Sequence, residues 1–257
     1  MKQLSLLISL LILCTGLMAQ VLIYGDTRNH PEVHRELVST VQDSSFSLIF
    51  HTGDLNRKGI LQSEYDEFKS IIAPLKGRFY PVRGNHERDL ELYLENFPQP
   101  ASQSFYTVIH DSLQYIILDS VQDMLPGTVQ YHWLKQQLEA YSLPKILLLH
   151  HPIFSSGPHG DELGLSLFLP ALLKNYNVKL VFSGHEHSFE HLLHEGIHYV
   201  VTGGGGAPLR DLKQRDAHSL FFLKVHHYSI MNREAGKLKL NTFDLSGQQI
   251  HQTTIDL

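Results

Sequence analysis

Val178-Lys179-Leu180-Val181-Phe182-Ser183-Gly184-His185-Glu186-His187 is an apolar, β-branched run that stops at a glycine and then presents two histidines. A run this short, ended by a turn residue, reads as a buried strand rather than a helix. The same layout recurs upstream. Val21 to Tyr24 leads into Gly25-Asp26, Leu48 to Phe50 towards Gly53-Asp54, Phe79 to Val82 towards Gly84-Asn85-His86, and Ile146 to Leu149 into His150-His151-Pro152. Two more apolar runs, Tyr115 to Leu118 and Tyr199 to Val201, have the same character. Between the runs lie segments with helical spacing: Val33, Leu37 and Val41; Tyr65, Phe68, Ile72 and Leu75; Leu134, Leu138 and Tyr141; Leu165, Leu169 and Leu172-Leu173. Strand alternating with helix predicts an α/β fold with at least part of its sheet parallel. Beyond Ser219 the runs Phe221 to Val225, Tyr228 to Met231, Leu238 to Phe243 and Ile250 to Ile255 predict consecutive antiparallel strands joined by hairpins.

In open α/β sheets ligands gather outside the carboxyl ends of the strands, which is where all five polar clusters fall. Asp26 and Asp54 offer carboxylate oxygens, Asn85 an amide oxygen, and His150, His185 and His187 imidazole nitrogens. Gly25 and Gly53 let the chain turn sharply so that each acid faces the crevice. Such a mixed nitrogen and oxygen set suits Mn, Fe or Zn, and is too rich in nitrogen for a dedicated Ca or Mg cage. Six candidate ligands exceed one four-coordinate zinc but suit two neighbouring cations that share a carboxylate.

Composition agrees with a single globular domain. Of 257 residues, 42% are hydrophobic and 18% charged. The formal net charge of -5 argues against a general nucleic-acid binder, since phosphate-backbone affinity needs clustered Lys and Arg. Met1-Lys2, the apolar run Leu4 to Leu13, and small or polar residues up to Ala19-Gln20 read as a secretory signal peptide over residues 1–19, which predicts a secreted or periplasmic protein. That run is too short for a permanent membrane span. Cys14, the only cysteine, follows the bulky Leu13 where a lipidation site has a small residue, so lipid anchoring is not expected. Residues 20–257 are then one domain without cysteine, and any metal in it is held by nitrogen and oxygen.

The ordered set Gly25-Asp26, Gly53-Asp54, Gly84-Asn85-His86-Glu87, His150-His151-Pro152 and Gly184-His185-Glu186-His187 resembles the calcineurin-like metallophosphoesterase superfamily, which includes the purple acid phosphatases and class III cyclic-nucleotide phosphodiesterases. The resemblance implies two mixed β-sheets packed face to face with flanking helices. It also implies a dinuclear centre in which Asp54 bridges the cations, Asp26 and His187 serve one, and Asn85, His150 and His185 serve the other. His150 is selected over His151 because the family's ligand lies two residues before the proline. The implied reaction is hydrolysis of a phosphate mono- or diester by attack of metal-bound hydroxide on phosphorus, with His86 as the histidine that contacts phosphate or protonates the leaving alkoxide. His159, in the loop after His150-His151-Pro152, matches a substrate-facing histidine of the purple acid phosphatases.

Two positions depart from the pattern. The family usually begins Asp-x-His with the histidine a ligand, but here the chain reads Asp26-Thr27-Arg28. The purple acid phosphatases place a tyrosine ligand three residues after the second aspartate, and here that position is Arg57. A purple chromophore is therefore not expected. His30 or His34 is a candidate replacement ligand, and Arg28 and Arg57 are candidates for binding substrate phosphate, because a guanidinium fork donates paired hydrogen bonds to phosphate oxygens. Glu87 and Glu186 are read as orienting their neighbours, and Gly203 to Gly206 as a close backbone approach behind the centre. The competing reading is a non-catalytic, metal-stabilised binding protein that keeps the fold.

Overall fold

The first elements of the chain are β1 (Val21–Tyr24), α1 (Pro31–Val41), β2 (Ser45–His51), α2 (Gln62–Ile72), β3 (Lys76–Pro81) and α3 (Leu90–Asn96). These come from a computed structural model that describes residues 20–99 and 103–257; the leader segment and Cys14 lie outside the described residues. Next come β4 (Tyr106–His110), β5 (Leu113–Ile117), α4 (Val129–Ala140), β6 (Lys145–Leu148), α5 (Leu163–Ser166), α6 (Leu169–Leu173), β7 (Val178–Ser183), β8 (Phe189–His194) and β9 (Ile197–Thr202). The chain closes with β10 (Ser219–Leu223), β11 (His227–Glu234), β12 (Lys237–Asp244) and β13 (Gln249–Asp256).

The strands form two mixed sheets, six-stranded in the order β13-β12-β11-β1-β2-β3 and seven-stranded in the order β10-β8-β9-β7-β6-β5-β4. Strands β1, β2 and β3 run parallel, as do β5, β6, β7 and β9. Side chains along the central strands alternate between two buried environments. Ile23, Phe50, Ile117, Leu148 and Phe182 join one core between the sheets, where Phe50 stacks on Tyr115 with ring centroids 4.9 Å apart. Their neighbours Leu22, Tyr24 and Ile49 pack outward with α1, while Ile116, Leu147, Leu149 and Val181 pack outward with α4, α5 and α6. Burial on both faces explains why these strands read as unbroken apolar runs. Each such side chain contributes about 1.5–3 kcal/mol when fully buried.

Three readings change. Ser219–Leu223 is a strand, but it pairs antiparallel with β8 in the seven-stranded sheet, so only β11, β12 and β13 are the hairpin series. Leucines 165 to 173 form two short helices, because Pro170 starts a new helix at its first turn and cannot continue the old one. Strands β4 and β8 and helix α3 are additions. In β8 the residues Glu190 and His191 are buried among Phe189 and Leu192, and those polar residues hide the strand from a hydrophobic reading. Among the described residues no helix is long and apolar enough to cross a membrane.

Candidate metal centre

Backbone conformation shapes the centre before any side chain does. Asp26, Asp54 and His185 all have positive φ, at 56°, 56° and 66°. Non-glycine residues rarely adopt that region, and its cost is met only where surrounding bonds over-determine the loop. Such bonds are present. Asp26 N donates to Gly53 O at 2.9 Å, Ala207 N to Asp26 O at 2.7 Å, and His185 N to both Asp26 carboxylate oxygens at 3.1 and 3.0 Å. The fully buried Glu87 ties three more donors together: Asp54 N and Gly84 N reach its Oε2 at 3.0 and 2.9 Å, and Asn56 N reaches Oε1 at 3.0 Å. Burial, then the Asp54 carboxylate, pushes the Glu87 carboxyl up to about 8. At Gly53, φ is 98° and an added Cβ would stand 2.6 Å from His150 Nδ1. At Gly203 an added Cβ would stand 2.7 Å from Asp26 Oδ2, so the glycine run does bring backbone close behind the acid.

All six expected ligands converge, and they divide into two halves with different chemistry. In the first half, His150 donates its Nδ1 hydrogen to Thr52 O at 2.9 Å, which leaves Nε2 as a lone pair. That lone pair lies 3.0 Å from Asn85 Oδ1 and 3.4 Å from Asp54 Oδ1, while His185 Nδ1 lies 3.1 Å from Asn85 Oδ1 and 3.3 Å from His150 Nε2. His86 N supplies Asp54 Oδ1 at 3.0 Å, and the one imidazole hydrogen on His185 cannot satisfy the acceptors that remain. A buried knot of facing lone pairs is electrostatically unfavourable unless a cation sits among them, so the residues fit a metal. Burial holds the His150 and His185 imidazoles well below the usual histidine range, in the neutral form that ligates. His151, whose ring centroid is 4.6 Å from that of His185, borders this half but exchanges hydrogen bonds with Ser120.

In the second half the acceptors already have a donor. His187 Nδ1 donates to Pro208 O at 2.7 Å, leaving Nε2 free to accept, and burial holds this imidazole down to about 3. Arg28 Nη2 lies 3.3 Å from His187 Nε2, and Arg28 Nε donates to Asp54 Oδ2 at 2.9 Å. Asp54 therefore spans both halves, through Oδ1 to the first and Oδ2 to the second. Asp26 Oδ1 is 3.6 Å from His187 Nε2. Burial first, then the charge of Asp54, raises the Asp26 carboxyl, with Arg28 opposing.

The remaining expected residues fare differently. His86 donates from Nδ1 to Arg57 O at 2.5 Å, which turns Nε2 towards the centre, 4.0 Å from Asp54 Oδ2. The Arg57 side chain is exposed and makes no hydrogen bond among the described residues, but with Arg28 it lines a cavity of about 360 Å³ beside the centre. His159 is half exposed, its Nδ1 2.8 Å from Glu186 Oε1 and its ring 4.5 Å from that of His185. Neither His30 nor His34 replaces the missing ligand: His30 pairs with Glu32 at the surface, and His34 is buried against Tyr24. Arg210 was not anticipated. Its Nη1 donates to His185 O at 2.7 Å and lies 3.0 Å from His159 Nδ1 and 3.6 Å from Glu186 Oε2. Only its place in a loop after the glycine run hinted at this, since a lone surface-type arginine carries no local pattern.

Residues 19–189 match the family profile described as calcineurin-like phosphoesterase. A phosphoenolpyruvate phosphatase of Allium cepa is 26% identical over 151 residues, 54% of this chain and 30% of that protein. A probable cyclic nucleotide phosphodiesterase of a Synechococcus strain is 30% identical over 156 residues, 57% of this chain and 60% of that protein. Among solved structures, a purple acid phosphatase from yellow lupin seeds superposes with a TM-score of 0.79 at 19% identity, covering 92% of this chain and 53% of that one. GAP50, described as the anchor in the inner membrane complex of Plasmodium, superposes with a TM-score of 0.80 at 16% identity, covering 93% of this chain and 89% of that one. These two structural likenesses concern the fold. The chain spans less than two thirds of the length of either of these sequence relatives.

Proposed function

Because the chain belongs to the calcineurin-like phosphoesterase family, we propose that it is a metal-dependent hydrolase of small phosphate monoesters or diesters. The observation that carries this reading is the set of lone pairs from Asn85, His150 and His185, gathered beside the Asp54 carboxylate within hydrogen-bonding distances and with too few hydrogens among them. Asp54, Asn85, His150 and His185 would hold one cation, and Asp26, Asp54 and His187 are the donors available to a second. Bound there, Mn, Fe or Zn supplies Lewis acidity towards a phosphoryl oxygen and lowers the pKa of water.

The protein groups do the rest. Thr52 and Pro208 carbonyls fix the tautomers of His150 and His187 so that lone pairs face the centre. Arg28 holds a permanent positive charge against Asp54, where charge on phosphoryl oxygens is stabilised. His86, oriented by the Arg57 carbonyl, presents Nε2 to the crevice and in its protonated form delivers a proton to the leaving oxygen. His159, braced by Glu186 and Arg210, stands at the rim, where it contacts the esterifying group.

Release of p-nitrophenol from mono- and bis-p-nitrophenyl phosphate tests the reading. Activity should disappear with a chelator, return with Mn or Zn, and be lost in Asp54→Asn. Metal-loaded but inert protein would favour the second reading, a metal-stabilised scaffold, which draws support from the Plasmodium neighbour described as an anchor. His86 argues against that scaffold, since binding alone has no use for a leaving-group acid. Residues 1–19 support export, and the mass of the N-terminal peptide of the exported protein tests it, with a start at Gln20 expected.

A further inference from the structure

We propose that the Arg28 guanidinium permanently replaces one of the two cations, making this a one-metal centre completed by a side-chain charge. The inference rests on the metal-dependent reading above and specifies it. Arg28 Nε and Nη2 engage Asp54 Oδ2 at 2.9 Å and His187 Nε2 at 3.3 Å, two of the atoms that a second cation would take as ligands. The match extends to protonation. His187 has given its only hydrogen to Pro208 O, so its Nε2 offers to the Arg28 N–H the lone pair that it would give to a metal.

Removal of Arg28 from this position is costly. Its side chain is 11% exposed and that of Asp54 is 1% exposed, so breaking the pair leaves the buried Asp54 carboxylate without its partner charge. A guanidinium does not lose its proton in proteins, so the repulsion it exerts on an incoming cation cannot be titrated away. The third acid of this half also has a structural duty: both oxygens of Asp26 accept His185 N, and that bond supports the positive φ of His185. The first half differs: His86 N donates to Asp54 Oδ1 at 3.0 Å, but Asn85 Oδ1, His150 Nε2 and His185 Nδ1 share a single imidazole hydrogen, and no guanidinium stands among them. No histidine moves in to rebuild the second half, because His34 faces Tyr24 and His30 faces Glu32.

Arg28 Nη1 has no protein partner among the described residues. It is left to donate to a substrate phosphate oxygen beside the metal in the first half, so one arginine supplies both the second positive charge and a directional contact.

The test is the stoichiometry of Mn(II) binding to the metal-free protein, followed by calorimetry and electron paramagnetic resonance without substrate. Wild type should take up one equivalent with the six-line signal of an isolated ion. Arg28→His should take up two equivalents with an exchange-coupled signal, and Arg28→Ala should gain a weaker second site; if the histidine variant does not fold, the alanine variant and wild type suffice. Two coupled ions in wild type would overturn the proposal and leave the phosphoesterase reading standing. One equivalent in wild type and in both folded variants would also overturn it, because Arg28 would not be what excludes the second ion. No metal bound by wild type would overturn both readings.

Discussion

Glu87→Gln should damage the centre although Glu87 is not one of the expected metal ligands. Both of its carboxylate oxygens accept: two backbone N–H groups reach Oε2 and one reaches Oε1, all within 3.0 Å. A glutamine amide matches the volume but replaces one acceptor by an NH2 group, which then faces an N–H donor whichever way it is flipped. Above pH 8, where the Glu87 carboxyl is ionised, one or two charge-assisted bonds are lost and a buried donor is left unpaired, at about 2–4 kcal/mol in total. For a chain of this size that lowers the melting temperature by about 5–15 °C. Because the donors belong to Asp54, Gly84 and Asn56, the same change displaces the Asp54 carboxylate and the Asn85 loop. Loss of such outer support typically weakens metal affinity by about 10–100-fold. Thermal melting of the metal-free protein and Mn(II) calorimetry measure the two effects separately. If Glu87→Gln melts within about 1 °C of wild type and binds Mn(II) equally well, the claim that this carboxylate organises the loops is wrong.

Three further outcomes are expected. His34 and His227 are buried, and burial holds their imidazoles down to about 3 and about 4, whereas the unfolded chain takes up those protons near pH 6.5, so stability is intact above pH 6.5 and falls with acid. At pH 5 each costs about 2 kcal/mol, and urea melts should show the pH slope flattened in the variant carrying both His34→Gln and His227→Asn; an unchanged slope refutes the assignment. His86→Ala should lower kcat by about 10²–10⁴-fold on an alkyl phosphate and much less on p-nitrophenyl phosphate, whose leaving group needs no proton; equal losses would remove His86 from the acid role. Gly53→Ala meets both a φ of 98° and His150 Nδ1, so it should cost about 1 kcal/mol or more in melts and abolish tight Mn(II) uptake.

The strands that carry the centre were legible because burial on both faces leaves an apolar signature, and the turn after each was legible because Gly25, Gly53, Gly84 and Gly184 interrupt it. Strand β8 was not, since Glu190 and His191 are buried in defiance of their polarity; Glu190 is compensated by Ser156, whose backbone N–H is 2.9 Å from its carboxylate. The partner of Ser219–Leu223 was equally hidden, because alternation marks a strand but not its neighbour.

For the centre itself the sequence alone determined which residue types are available and in what order, and hence the family and the six donors. It also marked Arg28 as out of pattern. Only the tertiary structure decided what Arg28 does there, because the answer depends on where its nitrogens lie relative to Asp54 and His187, residues 26 and 159 positions away. Hydrogen-bond direction, tautomer and charge proximity are properties of distances across the packed sheets, and no local spacing in the chain encodes them.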